Sequence, residues 1–196
     1  MNVRLNIARW IAATEVEGPG KRFALWVQGC NIGCADCCNP EMPPFEPRLI
    51  LPPEDIVAEV VKSKDANGIE GITLLGGEPC FQAKGLSIVA RHCQSLGLSV
   101  MMFTGIPLER LERLNLAGVT DLLAHTDVVV DGPFVRTAPE RDRNWIGSKN
   151  QRVHYLTDRY SPTIETDKRY APSVEVRVSR NEHLTLNGTP FAVQDG

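Results

Sequence analysis

Four short apolar segments of the chain are each followed by a cysteine-rich or glycine-rich motif. The segments are residues 23–27, 72–75, 98–103 and 128–130, and the motifs after them are GCNIGCADCCNP, GGEP, TG and DGP. Between these segments, apolar residues recur at helical spacing, at about 53–64, at about 83–96 and from Leu108 onwards. This alternation predicts an α/β domain with a mainly parallel sheet and helices outside it. Because parallel strands end at the same edge of a sheet, all four motifs are expected along one rim.

The first motif, residues 29–40, has the composition of a metal-binding loop. Four of its twelve residues are cysteines, and Cys30, Cys34 and Cys37 follow the spacing Cys-x3-Cys-x2-Cys. Three thiolates in one loop can bind a metal centre from one side. Clustered cysteines in a cytosolic chain indicate metal binding or catalysis more than disulfides. A [4Fe–4S] cluster has four irons, so three cysteines would leave one iron open to another ligand.

Two alternative interpretations of this loop are a structural zinc site and reactive or core cysteines that bind no metal. Zinc sites usually take four protein ligands, commonly as two pairs. No second Cys/His pair is present, because the four histidines are scattered along the chain, at His92, His125, His154 and His183. A zinc site would therefore need a ligand from a distant residue.

The motifs after the other strands have polar groups suited to a ligand. In GGEP, two glycines would let a ligand approach the backbone closely, and Glu78 could accept hydrogen bonds from an ammonium group. A tight turn is the alternative, because glycine and proline are common in turns. Thr104 and Asp131 begin the TG and DGP motifs, which are ordinary turn sequences when taken in isolation.

Four other residues have a functional and a structural interpretation. Cys38 is expected not to bind the same metal centre as Cys37, because adjacent side chains diverge. Cys80 either faces the rim or packs as a small apolar side chain, and Cys93 is expected in the core. Arg22, in the string GPGKR, is either a solvated charge beside a turn or a ligand for a carboxylate or a partner loop.

Bulk properties exclude several classes of protein. The length of 196 residues fits one domain, and a net charge of −3 without a Lys/Arg stripe does not suit a nucleic-acid partner. No apolar run approaches the ~20 residues that span a bilayer, and the N-terminus lacks a signal pattern. We therefore expect a cytoplasmic protein that binds neither nucleic acid nor membrane.

The remaining segments predict a loop, a long connection and a hairpin. Residues 41–53 contain five prolines and are expected to form a loop. The polar stretch 157–172 is expected to be a connection. Valines alternate with polar residues over 174–178, and apolar residues as far as Phe191 flank Asn187-Gly188. This pattern predicts a C-terminal β-hairpin, with Asn187-Gly188 as its turn signal.

In combination, these motifs resemble those of the radical S-adenosylmethionine (SAM) enzymes. The string EGPGKRFALWVQGCNIGCADCCNPE resembles the glycyl-radical-enzyme activases, and VMMFTG, DVVVDGPF and WIGSKNQR resemble the anaerobic ribonucleotide-reductase-activating members. The resemblance runs from about Glu17 to Arg152. It implies one radical SAM domain over 1–196, with a core at about 17–152 and a C-terminal extension at about 155–196. The implied fold is a partial (β/α)6 TIM-like barrel, and the predicted hairpin lies in the extension.

The resemblance also implies two cofactors and their ligands. Cys30, Cys34 and Cys37 would hold a [4Fe–4S] cluster whose open iron is chelated by SAM. The residues implied to bind SAM are Gly76, Gly77 and Glu78 at its amino group, Thr104 and Asp131 near its carboxylate and ribose, and Asp36 at its adenine. Asp36 stands where many of these enzymes have an aromatic residue, so its contact would be through the backbone. Cys38 departs from the activases, which often have His or Tyr at that position.

The implied reaction is reductive cleavage of SAM to methionine and a 5′-deoxyadenosyl radical, which abstracts hydrogen. The substrate would be a glycine of a partner glycyl-radical enzyme, such as anaerobic ribonucleotide reductase. A one-electron donor such as flavodoxin or ferredoxin would supply the electron. Two alternatives remain open: a radical SAM enzyme that modifies a small molecule or peptide, and an iron–sulfur binding or electron-transfer module that does not cleave SAM.

Overall fold

A computed structural model describes residues 3–171, 173–178 and 184–188 of the chain. The strands of its main sheet are β1 (Leu5–Thr14), β2 (Arg22–Val27), β3 (Leu49–Leu51), β4 (Gly71–Gly76), β5 (Ser99–Thr104), β6 (Val128–Asp131) and β7 (Arg152–Tyr155). They lie in the order β3-β1-β2-β4-β5-β6-β7. The four strands β2, β4, β5 and β6 are mutually parallel. The prediction of an α/β domain with a mainly parallel sheet is therefore confirmed.

Antiparallel strands extend the parallel part of the sheet on both sides. On one side β1 pairs with β2 and β3 pairs with β1, and on the other side β7 pairs with β6. Strand β3 lies inside the proline-rich segment 41–53, which the sequence predicts as a loop. Its three residues pair with Leu5 to Ile7, so a neighbouring strand and not local propensity makes this segment extended.

Within the described residues, four α-helices connect the strands: α1 (Pro53–Asn67), α2 (Ala83–Ser95), α3 (Leu108–Arg113) and α4 (Val119–Ala124). Helix α1 begins at a proline, has Glu54 and Asp55 in its first turn, and ends at Gly68 with a φ of 64°. Each feature suits its position, because proline lacks a donor, acids favour the positive end of the dipole, and glycine readily adopts the left-handed cap. The segment between β4 and α2 adds a short 3₁₀ helix, Pro79–Gln82.

The helices cover one face of the sheet and form the main core there. Leu25 and Leu74 from the strands pack in one cluster with Ile56 of α1 and Leu86 of α2, and all four are fully buried. Cys93 belongs to this cluster, which confirms its prediction as a core residue. In the part of the chain that the structure describes, the apolar clusters on the opposite face contain no helix residue. That face is therefore left open for a site.

Arg22 is the main correction to the sequence interpretation. It is fully buried at the beginning of β2, and its Nε donates to Thr73 Oγ1 at 2.6 Å. The guanidinium also donates to Ser99 Oγ, at 2.8 Å, and to the backbone oxygens of Pro19, Ile72 and Ser99. These partners lie near the amino ends of the parallel strands, opposite the motifs. Arg22 is thus neither a solvated charge nor a ligand at the rim.

The described C-terminal residues form a β-hairpin, but it does not turn at Asn187-Gly188, where the sequence predicts the turn. Strands β8 (Val174–Val178) and β9 (Leu184–Gly188) pair antiparallel. Asn187 lies opposite Glu175 and Gly188 lies opposite Val174, so the Asn-Gly pair is inside β9. The predicted flanking residue Phe191 lies outside the described residues. Over those residues, the chain contains no helix long and apolar enough to cross a membrane.

Candidate metal and cofactor site

A pocket of about 390 Å³ lies on the open face of the sheet and reaches the ends of the parallel strands. The residues of interest in its wall are Cys30, Cys34, Cys37, Cys38, Gly76, Gly77, Glu78, Thr104, Gly105 and Gly132. The structure therefore brings together parts of all four strand-end motifs, which the sequence predicts to share a rim. Asp36 and Asp131, the other two predicted site residues, are not among the residues that line this pocket.

The cysteine loop lies across one side of the pocket as irregular backbone. Its beginning is held by two backbone hydrogen bonds, from Gly29 N–H to the Met42 carbonyl at 2.7 Å and from Cys30 N–H to the Pro43 carbonyl at 2.9 Å. All six cysteines of the chain are free thiols, and Cys30, Cys34 and Cys37 are partly exposed. The three predicted ligands are thus available to a group in the pocket.

Two of these sulfurs already accept backbone hydrogen bonds. The Ile32 N–H donates to Cys30 Sγ and the Asn39 N–H donates to Cys37 Sγ, each at 3.4 Å. Burial raises the pKa of both thiols above the usual value, and these N–H groups partly oppose it. Because cysteines bind metals as thiolates, we expect metal binding here to release protons. Hydrogen bonds to the sulfurs also tune the potential of an iron–sulfur cluster.

The donor set fits an iron–sulfur cluster better than a single ion. Over the described residues, no three His, Cys, Asp or Glu side chains converge closely enough to hold one metal ion. A four-iron cluster is a larger group, and its cysteine ligands stand further apart than those of one ion. Three free thiols in one pocket wall supply the cysteine ligands that such a cluster uses.

The glycines of the GGEP motif are required by contacts within the chain itself. Gly76 has a φ of 108°, and a Cβ there would lie 2.7 Å from the Val27 nitrogen. A Cβ on Gly77 would lie 2.4 Å from the Gly29 carbonyl oxygen. The Gly77 N–H donates to the Val27 carbonyl at 2.8 Å. The motif thus packs directly against the start of the cysteine loop, which joins the two segments of the pocket wall.

The Glu78 carboxylate is used inside the protein. It is fully buried and accepts hydrogen bonds from Cys80 N–H at 3.0 Å, from Thr104 Oγ1 at 2.9 Å and from Gly105 N–H at 2.9 Å. Burial raises the pKa of Glu78, and these hydrogen bonds act in the opposite direction. Both oxygens have partners, so backbone groups of the GGE segment are better placed than this side chain to meet a ligand. Cys80 is buried in the helix-side core.

Asp131 also has protein partners. Its carboxylate accepts from the Leu108 N–H at 2.6 Å and forms two hydrogen bonds with Arg152, at 2.7 and 3.1 Å. His154 Nε2 lies 3.0 Å from the same carboxylate. Burial alone would raise the pKa of Asp131, but Arg152, the Leu108 N–H and His154 together hold it below the usual value. This network ties the end of β6 to the start of α3.

Asp36 belongs to the cysteine loop but does not line the pocket. It is exposed, and its carboxylate stands 3.6 Å from a guanidinium nitrogen of Arg136. The contact links the loop to the segment that follows β6. Cys38 is exposed and lines the pocket, although the sequence interpretation excludes it as a ligand.

Arg9 is a pocket residue that the sequence interpretation missed. Leu5 and Ile7 face the helices, so strict alternation would place Arg9 there too. A register shift between Ile7 and Arg9 turns its side chain to the open face, where Cζ lies 4.4 Å from the centre of the Trp26 ring. Its Nε is buried and has no hydrogen-bond partner in the described part of the chain. This donor is available to an acceptor on a bound molecule.

Glu17 and the C-terminal hairpin complete the pocket wall. Val174, Leu186 and Gly188 of the hairpin line it together with Glu17. Burial raises the pKa of Glu17 to about 8, although the Gly188 N–H and the charge of Arg9 oppose that shift. A carboxyl before a Gly-Pro-Gly turn gives no sequence signal for this position, because its surroundings come from strands distant in the chain.

A protein family matches the chain over most of its length. Residues 16–154 match the family described as 4Fe-4S single cluster domain. That range contains the cysteine loop and all four strand-end motifs. The hairpin strands β8 and β9 lie beyond it.

Several named proteins are similar to the chain over a comparable range. The anaerobic ribonucleoside-triphosphate reductase-activating protein of Salmonella typhimurium is 32% identical over 151 residues, which are 72% of this chain and 92% of that protein. The protein of the same name from Vibrio cholerae is 30% identical over 161 residues, or 78% and 99% of the two chains. The pyruvate formate-lyase-activating enzyme of Listeria monocytogenes is 31% identical over 162 residues, or 75% of this chain and 61% of that enzyme.

Proposed function

Because the chain belongs to the radical SAM family of glycyl-radical-enzyme activases, we propose that it activates a partner glycyl-radical enzyme of the anaerobic ribonucleotide reductase type. Its cofactors are a [4Fe–4S] cluster and SAM. The observation that carries the proposal is that Cys30, Cys34 and Cys37 line one pocket together with the Gly76-Gly77 backbone.

In this proposal the three cysteines hold the cluster, and the neighbouring strand ends hold SAM. When bound, these cofactors supply the one-electron cleavage of SAM that yields a hydrogen-abstracting radical. The backbone of Gly76, Gly77 and Glu78 receives the amino group of SAM. That role suits their position against the start of the cysteine loop, where the Glu78 N–H donates to the Gly29 carbonyl at 2.9 Å.

The other predicted site residues have positioning roles in this proposal. Thr104 holds Glu78 by a 2.9 Å hydrogen bond and so keeps the GGE segment in place. Asp131 orders the end of β6 through Arg152 and the Leu108 N–H. The adjoining Gly132 would then meet the carboxylate and ribose of SAM. Any contact of Asp36 with the adenine would be through its backbone, since its side chain faces Arg136.

Three broader features belong to the same proposal. The sheet is the strand layer of a partial (β/α)6 barrel, supported by four parallel strands with helices on one face. The protein works in the cytoplasm, supported by six free thiols. A small one-electron donor such as flavodoxin or ferredoxin reduces the cluster.

Anaerobic reconstitution tests this function in two steps. The protein is expected to bind one [4Fe–4S] cluster and, once reduced, to convert SAM to 5′-deoxyadenosine and methionine. Absence of SAM cleavage would contradict the radical SAM function. It would favour the alternative of an iron–sulfur electron-transfer module. Addition of the anaerobic ribonucleotide reductase of the same organism is expected to produce a glycyl radical in electron paramagnetic resonance. SAM cleavage without that radical would favour a small-molecule or peptide substrate.

A further inference from the structure

The polar face of the C-terminal hairpin points inward, to β1. Thr14 Oγ1 donates to Glu175 at 2.5 Å, and Asn187 Nδ2 donates to Thr14 Oγ1 at 3.3 Å. Arg177 donates to the Ala13 carbonyl and forms an ion pair with Glu175 at 2.5 Å. The polar side chains of β8 are therefore used to hold the hairpin against the end of β1.

The apolar face of the same hairpin consequently points outward. Side chains alternate along a strand, so Val174, Val176 and Val178 share the face opposite Glu175 and Arg177. Leu186 lies directly opposite Val176 on the paired strand. Val176 is 58% exposed, Val178 is 69% exposed and Leu186 is 45% exposed. A hairpin that packs on a core normally buries this face, so the exposed strip indicates an interaction surface.

This apolar strip, defined as Val174, Val176, Val178 and Leu186, begins at the wall of the pocket. Val174 and Leu186 line the pocket that contains the cysteine loop, whereas Val176 and Val178 continue the strip beyond it. From Val174 to Val178 a strand advances roughly 13 Å. A small substrate held in the pocket cannot contact the whole strip. An extended polypeptide can do so while one of its residues remains in the pocket.

We propose that the apolar strip docks the glycine-bearing segment of the partner enzyme, in an extended conformation and with apolar side chains near the glycine. This inference rests on the proposed function, in which a glycine of another protein has to reach the pocket. Apolar contact beside the glycine also excludes water from the radical reaction. The hairpin lies beyond residues 16–154, which match the family, so the strip adds partner specificity to a shared catalytic core.

The test compares the double variant Val176→Thr/Val178→Thr with the wild-type protein, both with cluster. Threonine keeps the branched shape and the strand preference of valine but adds a hydroxyl. The matched control is Val61→Thr on α1, which is also exposed and does not line the pocket. Two quantities are measured: SAM cleavage without any partner, and glycyl-radical formation as a function of the concentration of the same organism's anaerobic ribonucleotide reductase.

The double variant is expected to cleave SAM at the wild-type rate and to need about 10-fold more reductase for half-maximal radical formation. The Val61→Thr control is expected to match the wild type in both assays. An unchanged reductase requirement in the double variant would overturn the inference. Equal losses of SAM cleavage and radical formation would also overturn it, because the strip would then only support the pocket. A wild-type protein that yields no radical with the reductase contradicts the proposed function instead.

Discussion

The buried carboxylate of Glu78 accepts a hydrogen bond of 2.9 Å from the hydroxyl of Thr104, and this contact joins the ends of the neighbouring strands β4 and β5. The same hydroxyl accepts the Ile106 N–H at 3.1 Å. Two motifs that look like independent turns in the sequence are therefore one hydrogen-bonded unit in the pocket wall.

Replacing Thr104 with Val tests this unit. The change leaves one oxygen of buried Glu78 without its hydroxyl donor and is expected to lower the free energy of unfolding by about 1–3 kcal/mol. It should also raise the Kd for SAM, because the GGE segment loses its support. The matched control is Thr126→Val, which removes a buried hydroxyl bonded to the Leu122 carbonyl. Urea denaturation and SAM titration check both variants, and an equal effect on SAM binding would contradict the role of Thr104.

Replacing Cys34 with Ala tests the cluster ligands. The variant is expected to lose cluster retention after anaerobic reconstitution, because two remaining cysteines cannot replace three. The control Cys93→Ala removes a thiol that is buried among the helices, and it should keep the cluster while losing about 1 kcal/mol of stability. Iron and acid-labile sulfide per chain give the readout. Full cluster content in Cys34→Ala would reject this cysteine as a ligand.

Replacing Arg22 with Met tests its structural role. Thr73 Oγ1 and several carbonyl oxygens would lose a buried donor, so a loss of about 3 kcal/mol or more in the free energy of unfolding is expected. The control Arg91→Met removes an exposed guanidinium near His125 and should change stability by less than about 0.5 kcal/mol. Chemical denaturation of both variants and of the wild-type protein measures this difference in the free energy of unfolding. If Arg22→Met leaves the free energy of unfolding nearly unchanged, the structural role of Arg22 is contradicted and a binding role becomes the alternative.

Glu17 gives a prediction about pH. Its pKa is about 8 in the folded chain against 4.5 as the reference value, so the folded state binds more protons between those pH values. The free energy of unfolding should then fall as pH rises from about 4.5 to about 8, with Arg9 and Glu175 as the neighbouring charges. Glu17→Gln is expected to flatten this slope, whereas Glu15→Gln, at an exposed position, is expected to keep it. Identical slopes in all three proteins would contradict the assignment.

Several elements could be predicted because their causes are local in the chain. Helix α1 starts at Pro53, as predicted, since proline and two acidic residues suit a first turn. The buried strand β2 ends just before the cysteine loop because an apolar run gives way to glycine and cysteine. The shared edge of the four motifs also follows from the alternation of strands and helices, once the connections put the strands in parallel.

Other positions could not be predicted because their causes are contacts between distant segments. Strand β3 exists because Leu49 to Leu51 pair with β1, and β7 exists because Arg152 to Tyr155 pair with β6. The burial of Arg22 depends on Thr73 and Ser99 from two other strands. The turn signal Asn187-Gly188 is overridden by pairing with β8.

The α/β class, the spacing of the cysteines and the shared rim of the motifs follow from the amino-acid sequence, because each depends on residue type and short-range spacing. Which polar groups meet the pocket depends instead on tertiary contacts. A register shift in β1 turns Arg9 to the open face of the sheet, over Trp26, and internal hydrogen bonds use the carboxylates of Glu78 and Asp131. The valines of the hairpin face outward because its polar side chains form hydrogen bonds with residues of β1. Such choices depend on which partners lie across a sheet, and local sequence does not contain that information.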